Sequence, residues 1–129
     1  FSTMLTAENA DALISSCDAV LDGLDNISSR KLLKQACSKA GIPYIFGAIS
    51  GWVAQATISM PEDNLLEILY PEHTQIHDKS ALSFTPALCA SMQTALCVKL
   101  LTGHAVQTGT IYYFDLLNQE YEEIPIVSS

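Results

Sequence analysis

The 129-residue sequence predicts one α/β domain built on a mixed sheet, and three stretches carry that reading. Ala19, Val20 and Leu21 form a short β-type run that ends in Asp22-Gly23-Leu24-Asp25-Asn26 and passes directly into a helical pattern, which is the order strand, loop, helix. Tyr44, Ile45 and Phe46 within Pro43 to Ile49 favour a strand buried on both faces. From Trp52 to Met60, Trp52, Ala54, Ala56, Ile58 and Met60 alternate with Val53, Gln55, Thr57 and Ser59, as on an antiparallel strand with one better-covered face.

The remaining elements follow in chain order. Thr6 is a good N-cap for a helix through about Ser16, with Ala10, Leu13 and Ile14 on one side and Glu8, Asn9 and Asp11 on the other. After Asn26 a second helix runs to Ala40, with Leu32, Leu33, Ala36, Cys37 and Ala40 at helical spacing and Gly41 as its stop. Its outer face carries Lys31, Lys34 and Lys39, which read as solvated. Between Pro61 and Ser80 no regular pattern persists. Thr85-Pro86 opens a long helix by cap and N1 proline, and Gly103 closes it. Leu88, Met92, Leu96 and Leu100 recur every four residues there, widened by Cys89 and Ala95, and predict a core stripe. Gly109 to Leu116 and Tyr121 to Val127 read as a hairpin joined at Leu117-Asn118-Gln119-Glu120.

Composition excludes some functions. A net charge of -8 and a pI near 4.5 argue against nonspecific binding to nucleic acid or to an anionic membrane. No apolar run in the sequence reads as long enough to span a bilayer, and Phe1-Ser2-Thr3-Met4 lacks the shape of a secretory signal, so a cytoplasmic protein is expected. Cys17, Cys37, Cys89 and Cys97 form no C-x-x-C pair and sit in or beside apolar stretches, as buried reduced thiols do. His73 and His77 are four apart but lack a third ligand at a telling distance, His104 suits a helix C-terminus, and Ser50 lies outside a nucleophile-elbow order.

The candidate site is the Asp22 to Arg30 stretch. In open α/β sheets ligands lie beyond the carboxyl ends of the strands, where Asp22 and Asp25 fall. Asn26 can cap the following helix, whose amides favour an anion nearby. Both acids also suit the plainer role of loop acids and helix-dipole partners. Arg30, four residues into the helix, points back over the cap and can pair with a nearby acid or reach a phosphate or carboxylate, the ion pair being the favoured use.

The pattern D-x-x-D-N-x-x-x-R at a strand end resembles the second half of the ubiquitin-activating superfamily, the ThiF/MoeB/HesA enzymes. The resemblance continues in register through Gly41-Ile42-Pro43, Gly47-Ala48-Ile49-Ser50-Gly51, Gln55-Ala56-Thr57-Ile58, and Met92-Gln93-Thr94-Ala95 on to Gly103. It implies that residues 1–129 form a single partial domain, the C-terminal half of a Rossmann-like ThiF-type fold. No G-x-G-x-x-G is present and the first residue is Phe1, so the nucleotide-binding half is expected in a larger protein or a separate chain.

By the same resemblance the intact protein would be an ATP- and Mg-dependent adenylyltransferase acting on the C-terminal carboxylate of a ubiquitin-like sulfur-carrier protein. Asp25 would be the catalytic and Mg-positioning residue, with Asn26 and Asp22 beside the nucleotide, and the isolated chain would be inactive. The family's zinc thiols correspond to Leu65 and Ile68, so no zinc is expected, and Pro71 to Ser80 holds no acceptor cysteine. A noncatalytic ThiF-fold scaffold is the alternative, as is adenylation of another carboxylate such as that of a modified tRNA base. The apolar strand edge left by the absent half predicts a homodimer.

Overall fold

The computed structural model describes residues 7–23, 27–70 and 83–126. Strand β1 (Val20–Leu21) pairs in parallel with β2 (Tyr44–Ser50), matching Val20 to Tyr44 and Leu21 to Ile45. The crossover between them is helix α2 (Ile27–Ala40). It stops where Gly41 turns to a φ of 72° and the Ile42 amide reaches back to the Cys37 carbonyl at 2.9 Å, a helix end that glycine adopts without a Cβ penalty. Strands β3 (Val53–Ser59), β4 (Thr110–Asp115) and β5 (Glu120–Pro125) then add antiparallel, giving the sheet order β1-β2-β3-β4-β5. The mixed sheet is the one the sequence predicts.

Side chains alternate across β2 and so divide the core into two layers. Tyr44 and Phe46 join Ala10 and Ile14 of α1 (Ala7–Ile14), Leu33, Ala36 and Cys37 of α2, and Leu65 and Leu66 of α3 (Leu65–Leu69). Ile45 points the other way, to Ala56, Ile58 and the Leu96 and Cys97 of α4 (Phe84–Leu101). Burial pushes the Cys37 thiol up to about 11, as expected of a small apolar core cysteine.

Several expectations change. Helix α1 ends at Ile14, and Cys17 is exposed whereas the other three cysteines are buried, all four unbridged. In β3 Thr57 and Ser59 are buried along with Ala54, Ala56 and Ile58, because their hydroxyls find partners: Thr57 donates to the Thr110 carbonyl and Ser59 to Asp63 at 2.5 Å. Helix α4 begins at Phe84, placing Thr85 inside its first turn. Its buried line is Thr85, Cys89, Gln93, Leu96 and Cys97, while Leu88, Met92 and Leu100 are half-buried and Ala95 is exposed. With 18 residues and a mean hydropathy of 1.3, α4 is long and apolar enough to cross a membrane by length and composition alone, contrary to the reading above, yet its buried line packs on the sheet.

Lys34 is the clearest correction. It is 4 % exposed rather than solvated, and its Nζ donates to the Met60 carbonyl at 2.7 Å and lies 3.4 Å from Asp63. Asp63 also accepts from the Met60 amide at 2.7 Å and the Leu65 amide at 3.2 Å, which fixes the turn into α3. Leu65 is buried and Ile68 half-buried at the positions matched to zinc thiols. Thr6, His73, His77 and Pro71 to Ser80 lie outside the described residues.

Candidate functional site

The carboxyl end of β1 is the polar centre of the molecule. Asp22 follows the last ladder pair and is 2 % exposed. Its Oδ2 accepts a hydrogen bond from Arg30 Nη1 at 2.9 Å and another from the Tyr44 hydroxyl. Arg30 reaches it because a side chain in the first turn of a helix leans toward the N-terminus, which here overlies the strand end. The same guanidinium nitrogen donates to the Gly47 carbonyl at 2.6 Å, and the group stacks 5.3 Å from the Phe46 ring centre. Burial, then the Asp22 charge, pushes the Tyr44 phenol far up, so it keeps the proton that it donates to Asp22.

On the opposite face, Gln93 of α4 sends its Nε2 to the Asp22 carbonyl at 2.8 Å and to the Ile45 carbonyl at 3.0 Å. The approach requires a glycine beneath it. A Cβ on Gly47 would stand 2.3 Å from Gln93 Cδ and 2.6 Å from its Oε1. Cys89 lies beside this amide, its Sγ 3.5 Å from the Gln55 carbonyl and 4.0 Å from Gln93 Oε1, and burial raises its pKa.

These contacts place Asp22 in the core. Its carboxylate accepts from Arg30 and Tyr44 there and so ties the end of β1 to α2 and β2. Arg30 is its ion-pair partner, as read from the sequence. Asp25 and Asn26 lie outside the described residues. Among the described residues no three His, Cys, Asp or Glu side chains gather as a metal site. His104 is exposed just after α4, its Nδ1 2.8 Å from Thr102 Oγ1. Tyr44, Gly47 and Gln93 were not singled out from the sequence. The available signals were an isolated glycine inside a strand and an amide on an otherwise apolar helical stripe.

A concavity of about 400 Å³ lies between α4 and the β4–β5 hairpin, with Met92, Leu96, Val106 and Tyr112 among its walls and Lys99 and Glu123 as its charges. It is separate from the strand-end network.

Comparison with known sequences decides the affiliation: the ThiF family matches residues 1–129, the whole chain. This chain belongs to the ThiF family. The ThiF-family chain is 29 % identical over 125 residues to a SAMP-activating enzyme E1 of Haloferax volcanii, covering 91 % of the chain and 46 % of the relative. It is 31 % identical over 134 residues to a probable adenylyltransferase/sulfurtransferase MoeZ of Mycobacterium tuberculosis, covering 95 % of the chain and 34 % of the relative. It therefore spans less than half the length of these relatives. Among solved structures, Escherichia coli MccB with ATP superposes with a TM-score of 0.68 at 11 % identity, over 97 % of the chain and 42 % of MccB. That likeness establishes the ThiF-type α/β fold.

Proposed function

We propose that the chain is the C-terminal part of an ATP-dependent adenylyltransferase that activates the C-terminal carboxylate of a ubiquitin-like sulfur-carrier protein. The observation that carries this reading is the match to the ThiF family over the whole chain, with relatives named as activating enzymes and adenylyltransferases. The strand-end network supports it, since it anchors the stretch that leads to Asp25 and Asn26. In the reaction a carboxylate oxygen of the carrier attacks the α-phosphorus of ATP, the bond to pyrophosphate breaks, and an acyl adenylate forms.

Asp25 is assigned to the ATP phosphates and their Mg²⁺ by resemblance, with Asn26 beside it; Asp22 has the anchoring role. Orientation of the two reactants supplies most of what protein groups contribute to such a transfer. Residues 1–129 are taken as the C-terminal half of the adenylating domain. Among the described residues β1 is an edge strand with Leu21 42 % exposed, which suits an edge that the rest of the full-length protein or a second copy would cover. A homodimeric, cytoplasmic enzyme without structural zinc belongs to the same proposal.

A noncatalytic scaffold is the second reading, favoured by Leu65 and Ile68 where the family's zinc thiols would be. Pyrophosphate exchange into ATP by the full-length protein, measured with and without candidate carriers, separates the two. Carrier-dependent exchange is expected; a protein that neither exchanges pyrophosphate nor binds nucleotide is the scaffold.

A further inference from the structure

We infer that Gln93 is a positioning residue for the β1–α2 stretch, deepening the adenylation reading on which its activity test rests. The last β1–β2 ladder pair is Leu21 with Ile45, so the Asp22 carbonyl emerges beyond the strand pairing in a buried setting. A buried carbonyl needs a donor, and the donor comes from α4, 71 residues along the chain.

Both Nε2 hydrogens have an acceptor, the Asp22 carbonyl at 2.8 Å and the Ile45 carbonyl at 3.0 Å. Two acceptors, one just past β1 and one on β2, fix the amide plane. The Ile45 carbonyl also accepts the Asp22 amide at 3.0 Å, so the Asp22 peptide groups and this carbonyl form one linked set.

Asp22 is consequently gripped from both layers. Arg30 and Tyr44 hold its carboxylate from the α2 side, and Gln93 holds its carbonyl from the α4 side. The next residue, Gly23, would have nothing within 4 Å of a Cβ, so no side-chain packing there takes over the task. Asp25 is three residues from Asp22, within about 10 Å of chain. A tilt of the Asp22 peptide therefore displaces the start of the segment that carries Asp25. The glycine at 47 serves the same end, because any larger residue would fill the space that the amide occupies.

The test compares full-length wild type with Gln93→Met, similar in length but without a donor, and Gln93→Glu, similar in shape but with a carboxylate oxygen facing two carbonyls. Native-state hydrogen exchange is read by mass spectrometry over residues 22–28 and over β3 and β4. The expected result is exchange about tenfold faster in residues 22–28 and little changed in β3 and β4. The pyrophosphate-exchange kcat is expected to fall roughly 10- to 100-fold while the KM for ATP moves less than about twofold. Unchanged protection at residues 22–28, or faster exchange spread evenly over the sheet, would overturn the inference. Loss of kcat that follows only the loss of folded protein would do the same. A wild type without pyrophosphate exchange would sink the adenylation reading, and hydrogen exchange would then still decide the role of Gln93.

Discussion

Arg30 and Asp22 meet at 2.9 Å with side chains only 7 % and 0 % exposed, one at the start of α2 and the other at the end of β1. An ion pair this deep contributes little over a well-packed apolar pair, but breaking it by removing one partner leaves a charge in the core. Arg30→Met should destabilise the protein by roughly 3–5 kcal/mol in urea unfolding. Combining it with Asp22→Asn should recover part of that loss, a coupling of roughly 0.5–3 kcal/mol. Strict additivity would show that the two side chains do not depend on each other.

Tyr44 makes the same centre sensitive to alkali. Burial and the Asp22 charge raise its pKa above the ordinary 10.0. Below about pH 10 the phenol is neutral in both folded and unfolded chains, and its contribution to stability is complete. As pH rises further the unfolded chain loses the proton while the folded one keeps it, so stability falls. Tyr44→Phe should make the decline above pH 10 shallower by about one proton, or ~1.4 kcal/mol per pH unit. Equal slopes for the two proteins would count against the buried phenol.

Gly47→Ala should cost roughly 1–3 kcal/mol, because the added methyl collides with a Gln93 amide that is fixed by two hydrogen bonds. In a Gln93→Ala background the collision disappears, and the same substitution should cost less. Thermal melts of the four proteins check this; an unchanged penalty in the second background would place the clash elsewhere.

Two of the lysines of α2 should behave differently. Lys34, 4 % exposed and bonded to the Met60 carbonyl, should cost about 1–3 kcal/mol when changed to Ala. Lys39 pairs with Asp11 at 2.9 Å, but with side chains 65 % and 44 % exposed, so Lys39→Ala should cost under about 1 kcal/mol. Denaturant titration of each variant gives the comparison.

The contrast among these lysines shows where sequence reading stops. Periodicity locates a helix and its apolar stripe, and α2, the β2–β3 pair and the β4–β5 hairpin followed from it. It does not reveal that a turn at Asp63, far along the chain, brings a carboxylate and a carbonyl over one lysine of the polar face. For α4 the apolar spacing gave the helix but not its rotation. Gln93 faces the sheet because two carbonyls and a glycine on β1 and β2 await an amide, a fit that only the folded strands display. The D-x-x-D-N-x-x-x-R pattern points to this strand end, and the fold buries its first acid against Arg30, a placement that spacing alone does not reveal.

The different roles proposed for Asp22 and Asp25 are the centre of the account, and one paired comparison tests them: pyrophosphate exchange and melting temperature of full-length Asp22→Asn and Asp25→Asn. The account predicts that Asp25→Asn abolishes exchange with the melting temperature nearly unchanged, whereas Asp22→Asn lowers the melting temperature and only partly reduces exchange in the protein that remains folded. An Asp25→Asn protein that exchanges pyrophosphate like wild type, or an Asp22→Asn protein with full stability and no exchange, would contradict it.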